Sequence, residues 1–438
     1  MNTAVGRKDS TSIRRVAFAS FIGTAIEWYD FYLYGTTAAL VFPALFFPQL
    51  SALSATLASF GTFGVAFVAR PLGGVVFGHF GDRIGRKSML VITLVLMGGA
   101  TFLIGLVPTF QQAGYAAPIL LIALRFLQGF AVGGEWGGAT LMVVEHAPEK
   151  SRNFYAAWPQ AGVPFGLTLS TAIFALASSL PDEQFFAWGW RVPFLLSVVL
   201  IAVGLFIRLR IVESPVFAQL KQLKIESRVP LLEVLTDYPI AAVLATGVGF
   251  VIFVQFYVVT TFVLSYATTQ LGVSRSVVLT GLLFAALGDF IGIALAAALA
   301  DRIGSRGVAL SGALGISILA FPFFWLVDTG SSLLIWIAMT FWIVAGGALY
   351  GVCGAFTAEL FPARVRYSGI SFSQQTAGLF GGALTPVIAT ALVSWSGGRS
   401  WPVAAYVAAA ALVTVSAIYS ASGNYRIGIH DTRAASAS

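Results

Sequence analysis

The 438-residue sequence contains one cysteine, Cys353, and only three histidines, His79, His146 and His430. A single cysteine excludes a disulfide within the chain, and the histidines lack the spacing of zinc ligands. No set of serine, histidine and aspartate, or of cysteine and histidine, converges within the apolar segments. The sequence therefore argues against a membrane-embedded enzyme, and we expect no metal and no organic cofactor.

Charge is also scarce: 10% of the residues are charged, whereas 58% are hydrophobic. A soluble domain of this length does not have enough polar residues to cover so much apolar surface. An apolar stretch of about 20 residues spans a bilayer as a helix. Twelve such stretches predict an all-α integral membrane protein, with helices 1 to 12 at 16–43, 53–77, 89–107, 118–144, 154–178, 192–210, 239–268, 277–299, 308–327, 333–358, 368–393 and 402–420.

The few basic residues are unevenly distributed among the connections between these helices. Of the 25 Lys and Arg residues, only Arg191, Arg275 and Arg399 lie in the connections assigned to the outside. The positive-inside rule then places both termini in the cytoplasm. The net charge of +7 reflects this topology and does not indicate nucleic acid binding. The predicted order is a cytoplasmic N-terminus (1–15), a six-helix bundle (16–210), a cytoplasmic linker (211–238), a second six-helix bundle (239–420) and a cytoplasmic tail (421–438).

Two polar motifs occur twice, about half a chain length apart. Gly81-Asp82-Arg83-Ile84-Gly85-Arg86-Lys87 returns as Ala300-Asp301-Arg302-Ile303-Gly304-Ser305-Arg306. Glu145-x-x-Pro148-x-x-x-Arg152 returns as Glu359-x-x-Pro362-x-x-x-Arg366. Two motifs at nearly one offset define a repeat, so the chain consists of two copies of one membrane unit. Parallel repeats of this kind occur in transporters that hold their substrate between the halves near the bilayer midplane.

Ionisable residues inside the predicted helices are the strongest candidates for function. Each costs about 2.5 to 3.5 kcal/mol if it faces lipid at mid-membrane, so they should face a cavity or one another. From a rise of about 1.5 Å per residue, Asp30 and Arg125 lie at similar heights in the bilayer. The six residues are Glu27 and Asp30 (helix 1), Arg70 (helix 2), Arg125 and Glu135 (helix 4) and Asp289 (helix 8).

Glu27, Asp30 and Tyr34 share one face of helix 1, and we expect that face to line the cavity. Our hypothesis is that Asp30 and Arg125 pair when the cavity is empty, and that protonation of Asp30 frees Arg125 to hold a substrate carboxylate. Glu27 would raise the proton affinity of Asp30 by repulsion, so that the two titrate together. With Glu135 there are three acids against two arginines in this half, and the unpaired acid tends to hold a proton. The alternative is that these charges only hold helices 1, 2 and 4 together.

Other polar residues complete the predicted substrate site. Asp289 would repel a second carboxylate or hold a cationic group. For each of the others, a lipid-facing or helix-packing role is an equally good interpretation. The candidate substrate-binding residues are Tyr34, Arg70, Arg125, Trp158, Gln160, Gln255, Tyr257, Asp289, Tyr350, Gln374 and Gln375.

The motif Gly78-x-x-Gly81-Asp82-Arg83-x-Gly85-Arg86-Lys87 resembles the loop 2–3 signature of the major facilitator superfamily. The segments around Glu27 to Gly35, Arg70 to Gly74 and Arg125 to Gly138 resemble its metabolite:proton symporter family. Asp289 departs from that pattern. The resemblance implies twelve helices in two pseudo-symmetric bundles, alternating access, and uptake of a small organic acid or zwitterion driven by protons.

In the superfamily the acid that matches Asp82 contacts helix ends of the other half when the cavity opens outward, and simple topogenic charge is the alternative interpretation. The candidate latch residues are Gly78, Gly81, Asp82, Arg83, Gly85, Arg86, Glu145, Arg152, Asp301, Arg302, Glu359 and Arg366.

We therefore predict a proton-coupled symporter of the bacterial inner membrane that functions as a monomer and imports a shikimate-like or aromatic monocarboxylate. A proline or betaine symporter is the alternative, and Asp289 favours it because a negative charge suits a quaternary amine.

Overall fold

The computed structural model describes residues 10–84, 86–133, 143, 152–209, 230–362 and 365–421. These residues form helices, with no β-strand among them. The twelve long helices are α1 (Ser10–Leu40), α2 (Ala52–Ile84), α3 (Arg86–Ile104), α4 (Ala116–Val132), α5 (Arg152–Ser178), α6 (Ser197–Leu209), α7 (Pro239–Tyr257, continued as Val263–Thr269), α8 (Arg275–Ile303), α9 (Ser305–Val327), α10 (Ser332–Ala358), α11 (Arg366–Ala377, continued as Thr385–Trp395) and α12 (Trp401–Ser420). Short helices lie between them at Phe42–Phe46, Phe110–Ala113, Asp182–Ala187, Gly189–Arg191, Val192–Leu195 and Pro230–Asp237.

Most of these helices have the length and the apolar composition of membrane-spanning helices. Within the described ranges, nine helical segments are long and apolar enough to cross a membrane. Two more, Val91–Ile104 and Ala116–Val132, are apolar but shorter. Helix α1 completes the set and carries the buried acids Glu27 and Asp30. The prediction of a twelve-helix, all-α membrane protein is confirmed.

Some predicted helix boundaries were wrong. Helix 2 was expected to end at residue 77, but α2 continues to Ile84, so Gly78, Gly81, Asp82 and Arg83 belong to its last turns rather than to a tight loop. Likewise α8 continues through its basic last-turn residue Arg302. The prediction ended each helix where apolar residues stop. Backbone hydrogen bonds of a helix are internal, however, so a helix continues past the hydrocarbon layer when its side chains turn polar.

Small residues bring the helices of the first half into close contact. A Cβ atom on Gly73 of α2 would lie 1.8 Å from the carbonyl oxygen of Phe130 in α4. A Cβ atom on Gly129 would lie 2.1 Å from that of Ala66. Gly133 meets α2 in the same way. This close approach fixes α4 against α2.

Helices α7 and α11 are each interrupted by a π-helical turn. The turns lie at Val258–Phe262 and Gly378–Ala383, and the second comes just before Pro386. A Cβ atom on Gly382 would lie 2.8 Å from ring atoms of both Phe67 and Tyr257. The irregular turns therefore bring α7 and α11 of the second half against α1 and α2 of the first. Single π-helical turns are frequently found at functional sites.

At one end of the molecule, charged and aromatic side chains join the two halves. Arg275, the first residue of α8, forms an ion pair with Asp182 in the connection after α5. Its guanidinium carbon also lies 4.7 Å from the ring centre of Phe185 and 5.3 Å from that of Phe186. We call these four residues the clasp. The clasp therefore contributes contacts that hold the two halves together at this end.

Weakening the clasp is expected to open this end of the protein more often. Arg275→Gln removes both the ion pair and the cation–π contacts, which together are worth about 1 to 2 kcal/mol at a partly exposed site, so opening should increase about tenfold. A cysteine at Thr261, a residue that is 2% exposed and that packs near Gly35, reports the opening once Cys353 is replaced by alanine. The rate of maleimide labelling in detergent is the measurement.

Glu183→Gln is the matched control, because Glu183 is the exposed neighbour of Asp182 and takes no part in the clasp. It should leave the labelling rate unchanged. Equal labelling of the Arg275→Gln variant and the parent protein would show that the clasp does not hold this end closed.

Candidate functional site

Arg125 lies at the centre of the first half and is fully buried. Its Nη1 donates to Oε1 of Gln128 at 3.1 Å, and its Nε contacts the carbonyl oxygen of Phe63 at 3.5 Å. Its guanidinium carbon lies 4.0 Å from the ring centre of Tyr34 and 4.2 Å from that of Phe31. Aromatic faces stabilise a desolvated cation by about 2 kcal/mol. The Nη2 group has no hydrogen-bond partner among the described residues and remains available.

Asp30 is the acid next to Arg125. Its side chain is 1% exposed, and neither carboxylate oxygen makes a hydrogen bond within the described residues. It interacts electrostatically with Arg125 and with Glu27. The expected direct pair between Asp30 and Arg125 is not formed in this structure, since Asp30 has no hydrogen-bond partner among the described residues and Nη1 of Arg125 donates to Gln128. Both groups therefore keep unused hydrogen-bonding capacity at the same place.

A short polar chain holds Gln128 in position for this contact. Its Nε2 donates to Oγ1 of Thr101 in α3 at 2.7 Å, while its Oε1 accepts from Arg125. The hydroxyl of Tyr34 donates to Oγ1 of Thr62 in α2 at 2.8 Å. Three helices thus fix the rings and amide around the guanidinium. A preorganised charge of this kind loses little entropy when it binds an anion.

Arg70 is the second buried guanidinium, at 4% exposure. It stacks 4.4 Å from the ring centre of Phe31 and 4.6 Å from that of Phe67. It interacts electrostatically with Glu27 and with Tyr257. Tyr257 also interacts with Arg125, so this residue of α7 connects the two cationic groups to the second half. The hydroxyl of Tyr257 has no hydrogen-bond partner among the described residues.

A cavity with about 410 Å³ of empty space, its open mouth included, lies between the two halves. The polar residues of the second half that line it are Gln255, Asp289 and Tyr350, three of the predicted substrate-binding residues. Its remaining lining residues are Trp28, Tyr32, Val163, Ile252, Phe253, Phe256, Ile343 and Gly346.

Two adjacent glycines of α10 make room for the polar floor of this cavity. A Cβ atom on Gly346 would lie 2.0 Å from Oε1 of Gln255, and one on Gly347 would lie 2.8 Å from Oδ1 of Asp289. Nε2 of Gln255 donates to the carbonyl oxygen of Trp342 at 2.6 Å. The Gly346-Gly347 pair therefore seats the two polar side chains against α10, and any larger residue there would displace them.

The first half lines the cavity with residues that the sequence analysis missed. The predicted face of α1 was Glu27, Asp30 and Tyr34, but the lining residues of α1 are Trp28 and Tyr32. These two are about one helical turn apart, with Asp30 between them in the sequence and Glu27 just before Trp28. An i, i+4 pair of aromatic residues with polar atoms, next to buried acids, was the signal available.

The remaining predicted substrate residues lie elsewhere. Trp158 makes an edge contact with Phe21, with ring centres 6.4 Å apart. Gln160 is buried in α5. Gln374 packs near Gly249 of α7, and Gln375 is buried in α11. None of these four residues lines the described cavity.

The predicted latch residues occupy matching helix ends in the two halves. Arg152 is the first residue of α5 and Arg366 is the first residue of α11. Arg86 begins α3, Asp301 and Arg302 lie in the last turn of α8, and Glu359 follows α10. Gly85, Glu135 and Glu145 lie outside the described residues.

The family profile described as Major Facilitator Superfamily matches residues 20–378. The chain belongs to the major facilitator superfamily. This facilitator is 45% identical to the shikimate transporter of Escherichia coli (strain K12) over 415 residues, which cover 92% of each chain. It is 42% identical to the inner membrane metabolite transport protein YhjE of the same strain, over 86% of this chain and 87% of the relative. It is also 33% identical to the proline/betaine transporter of that strain, over 89% of this chain and 79% of the relative.

Solved structures agree with this assignment at the level of the fold. A D-xylose-proton symporter superposes with a TM-score of 0.73 at 21% identity, over 92% of this chain and 97% of that one. The partially occluded inward open conformation of the xylose transporter XylE from E. coli gives 0.74 at 16% identity, over 94% and 98%. These structures show the fold alone, whereas the family profile and the 45% identical relative make this facilitator a multi-pass membrane transporter and not an enzyme.

Proposed function

We propose that this facilitator is a proton-coupled symporter that imports a small organic acid, a shikimate-like or aromatic monocarboxylate, by alternating access. The observation that carries the proposal is that Asp30 and Arg125, two buried side chains of opposite charge, interact electrostatically without a direct hydrogen bond, and each keeps hydrogen-bonding atoms that are unused within the described residues. The bundles 16–210 and 239–420 move against each other around the cavity between them.

Proton coupling follows from the environment of Asp30. A carboxylate buried without hydrogen-bond donors costs free energy that protonation relieves. While Asp30 is charged, it competes with a substrate carboxylate for Arg125. Once it is protonated, Arg125 is left with its Nη2 free to bind the substrate. Proton and anion therefore bind cooperatively, and linkage makes the effect reciprocal.

Two observations support an organic acid as the substrate. The relative at 45% identity is named a shikimate transporter. Arg70 and Arg125 are two buried cations stacked on aromatic rings, and a planar guanidinium binds carboxylates in a bidentate manner. The name of the YhjE relative and the distribution of basic residues support an inner membrane location with both termini cytoplasmic.

A zwitterion such as proline or betaine is the second candidate. It is favoured by Asp289, a buried carboxylate that lines the cavity and forms no ion pair within the described residues. The relative at 33% identity is named a proline/betaine transporter. A substrate that carries both charges would place its cationic group at Asp289 and its carboxylate at an arginine.

Uptake by the full-length protein in proteoliposomes tests the proposal. Labelled shikimate, benzoate, a dicarboxylate and glycine betaine are compared with and without an imposed inward proton gradient. We expect the gradient to drive accumulation of monocarboxylates at least about tenfold above the level without a gradient, since one pH unit stores about 1.4 kcal/mol. Accumulation of betaine alone would transfer the assignment to the zwitterion, and uptake that ignores the gradient would contradict proton coupling.

A further inference from the structure

The cavity between the halves presents hydrogen-bonding atoms that the protein itself does not satisfy. Nε1 of Trp28 and the hydroxyl of Tyr32 have no hydrogen-bond partner within the described residues, and both side chains line the cavity. Asp289 lines the same cavity, and no ion pair or hydrogen bond joins it to another described residue. The site therefore offers two groups able to donate and one strong acceptor.

These groups discriminate between chemical classes of ligand. A quaternary ammonium would suit Asp289 but accepts no hydrogen bond, so it leaves the Trp28 and Tyr32 donors unsatisfied. A carboxylate would accept from both donors but is repelled by Asp289. A hydroxyl group both donates and accepts, so adjacent hydroxyls satisfy Asp289 and the donors together. An unmatched buried polar group costs free energy, which makes the discrimination effective.

We propose that Trp28, Tyr32 and Asp289 form a hydroxyl-binding subsite, so that the substrate is a polyhydroxylated monocarboxylate whose hydroxyls lie against Asp289. This inference rests on the proposed function, since it assigns the end of the organic acid that is opposite its carboxylate.

The surrounding side chains orient such a ligand. The hydroxyl of Tyr32 interacts electrostatically with both Asp289 and Arg70. Its ring contacts those of Trp28 and Phe256, with ring centres 5.2 and 5.4 Å away. The carboxylate of the ligand then lies toward the two buried arginines, Arg125 and Arg70, and its hydroxyls lie toward Asp289.

The aromatic rings are packed together and do not form an open cage. The Trp28 and Phe256 ring centres are 6.5 Å apart, so the three rings form a compact triangle with sides of 5.2, 5.4 and 6.5 Å. A cage for a quaternary amine requires rings that surround an empty space large enough for the cation. The three rings are in contact with one another and leave no such space between them.

Equilibrium binding to the purified full-length protein in detergent tests the subsite. Shikimate is compared with cyclohex-1-ene-1-carboxylate, which keeps the ring and carboxylate but lacks the three hydroxyls. We expect shikimate to bind at least about tenfold more tightly, because a ligand without hydroxyls leaves the buried polar groups of the site without hydrogen-bond partners. Tyr32→Phe, Trp28→Phe and Asp289→Asn should each reduce that preference about 3- to 10-fold.

Asp237→Asn is the matched control, since Asp237 is an exposed carboxylate at the end of the Pro230–Asp237 helix, away from the cavity. It should leave the preference for shikimate unchanged. Equal affinity of the parent protein for both acids would overturn the proposed subsite. Variants that reduce the affinity for both acids by the same factor would overturn it as well. Tight binding of glycine betaine that is lost in Asp289→Asn would assign the cavity to a cation instead.

The failure of this inference is separate from the failure of the proposed function. Binding in detergent requires no proton gradient, so the preference for hydroxyls is measured even if uptake is uncoupled. Conversely, gradient-driven uptake of both acids at equal affinity would leave the symporter assignment intact and remove the subsite.

Discussion

Replacing Asp30 with asparagine is expected to abolish uphill accumulation of substrate and to leave counterflow exchange within about threefold of the parent protein. Asparagine has nearly the same shape but binds no proton, so the carrier is held in a state that resembles protonated Asp30. Because Arg125 is then free of competition, substrate still binds and exchanges. The measurement is uptake against a concentration gradient, with an imposed proton gradient, compared with exchange in the same proteoliposomes.

The control for this variant is Asp237→Asn, which removes an exposed carboxylate from outside the buried cluster. It should retain both activities. Undiminished accumulation by the Asp30→Asn protein in response to the proton gradient would eliminate Asp30 as the coupling residue.

Replacing Arg125 with glutamine is expected to abolish both accumulation and exchange. The guanidinium is fully buried among Phe31, Tyr34 and Phe63, and its removal leaves Asp30 without its cationic neighbour. The substrate carboxylate also loses its charged partner, so binding should weaken by about 100-fold or more, in line with the 2 to 5 kcal/mol cost of truncating one partner of a buried charge pair. Equilibrium binding and counterflow are the measurements.

Two further variants separate the loss of function from misfolding. Arg125→Lys keeps the charge but loses the planar fork and the stacking, so we expect only partial recovery, about tenfold better than Arg125→Gln. Arg399→Gln changes an exposed arginine and should behave as the parent. The thermal stability and monodispersity of each purified variant establish folding. Normal exchange by a well-folded Arg125→Gln protein would contradict the role of this residue in substrate binding.

If Asp30 and Arg125 act as one unit, the double variant Asp30→Asn, Arg125→Gln should be no worse than Arg125→Gln alone. Groups that share an interaction give non-additive effects. Additive losses would indicate two independent roles.

The helices were predictable from the sequence because their cause is local. Apolar runs and the repeated motifs around Asp82 and Asp301 specify twelve spans in two halves without knowledge of contacts. The proximity of Asp30 and Arg125 followed from their similar depth and burial, but the direct pair expected between them is not formed.

The face that α1 presents to the cavity was not predictable in this way. Its rotation is fixed by packing against α5, where a Cβ atom on Gly162 or Gly166 would lie 2.6 Å from a carbonyl oxygen of α1. This contact depends on residues more than a hundred positions away in the sequence, so Trp28 and Tyr32 were missed. The π-helical turns of α7 and α11 were missed for a similar reason, because hydropathy is insensitive to hydrogen-bond register.

Symport requires that a proton moves with each substrate anion. Fluorescence of a pH dye inside proteoliposomes measures this movement directly. When shikimate is added outside without an imposed proton gradient, the parent protein should acidify the interior of the proteoliposomes as substrate enters. The Asp30→Asn protein should exchange shikimate without acidification. Entry of substrate with no proton movement in the parent protein would contradict proton-coupled symport. Undiminished acidification by Asp30→Asn would contradict the role of Asp30 in coupling.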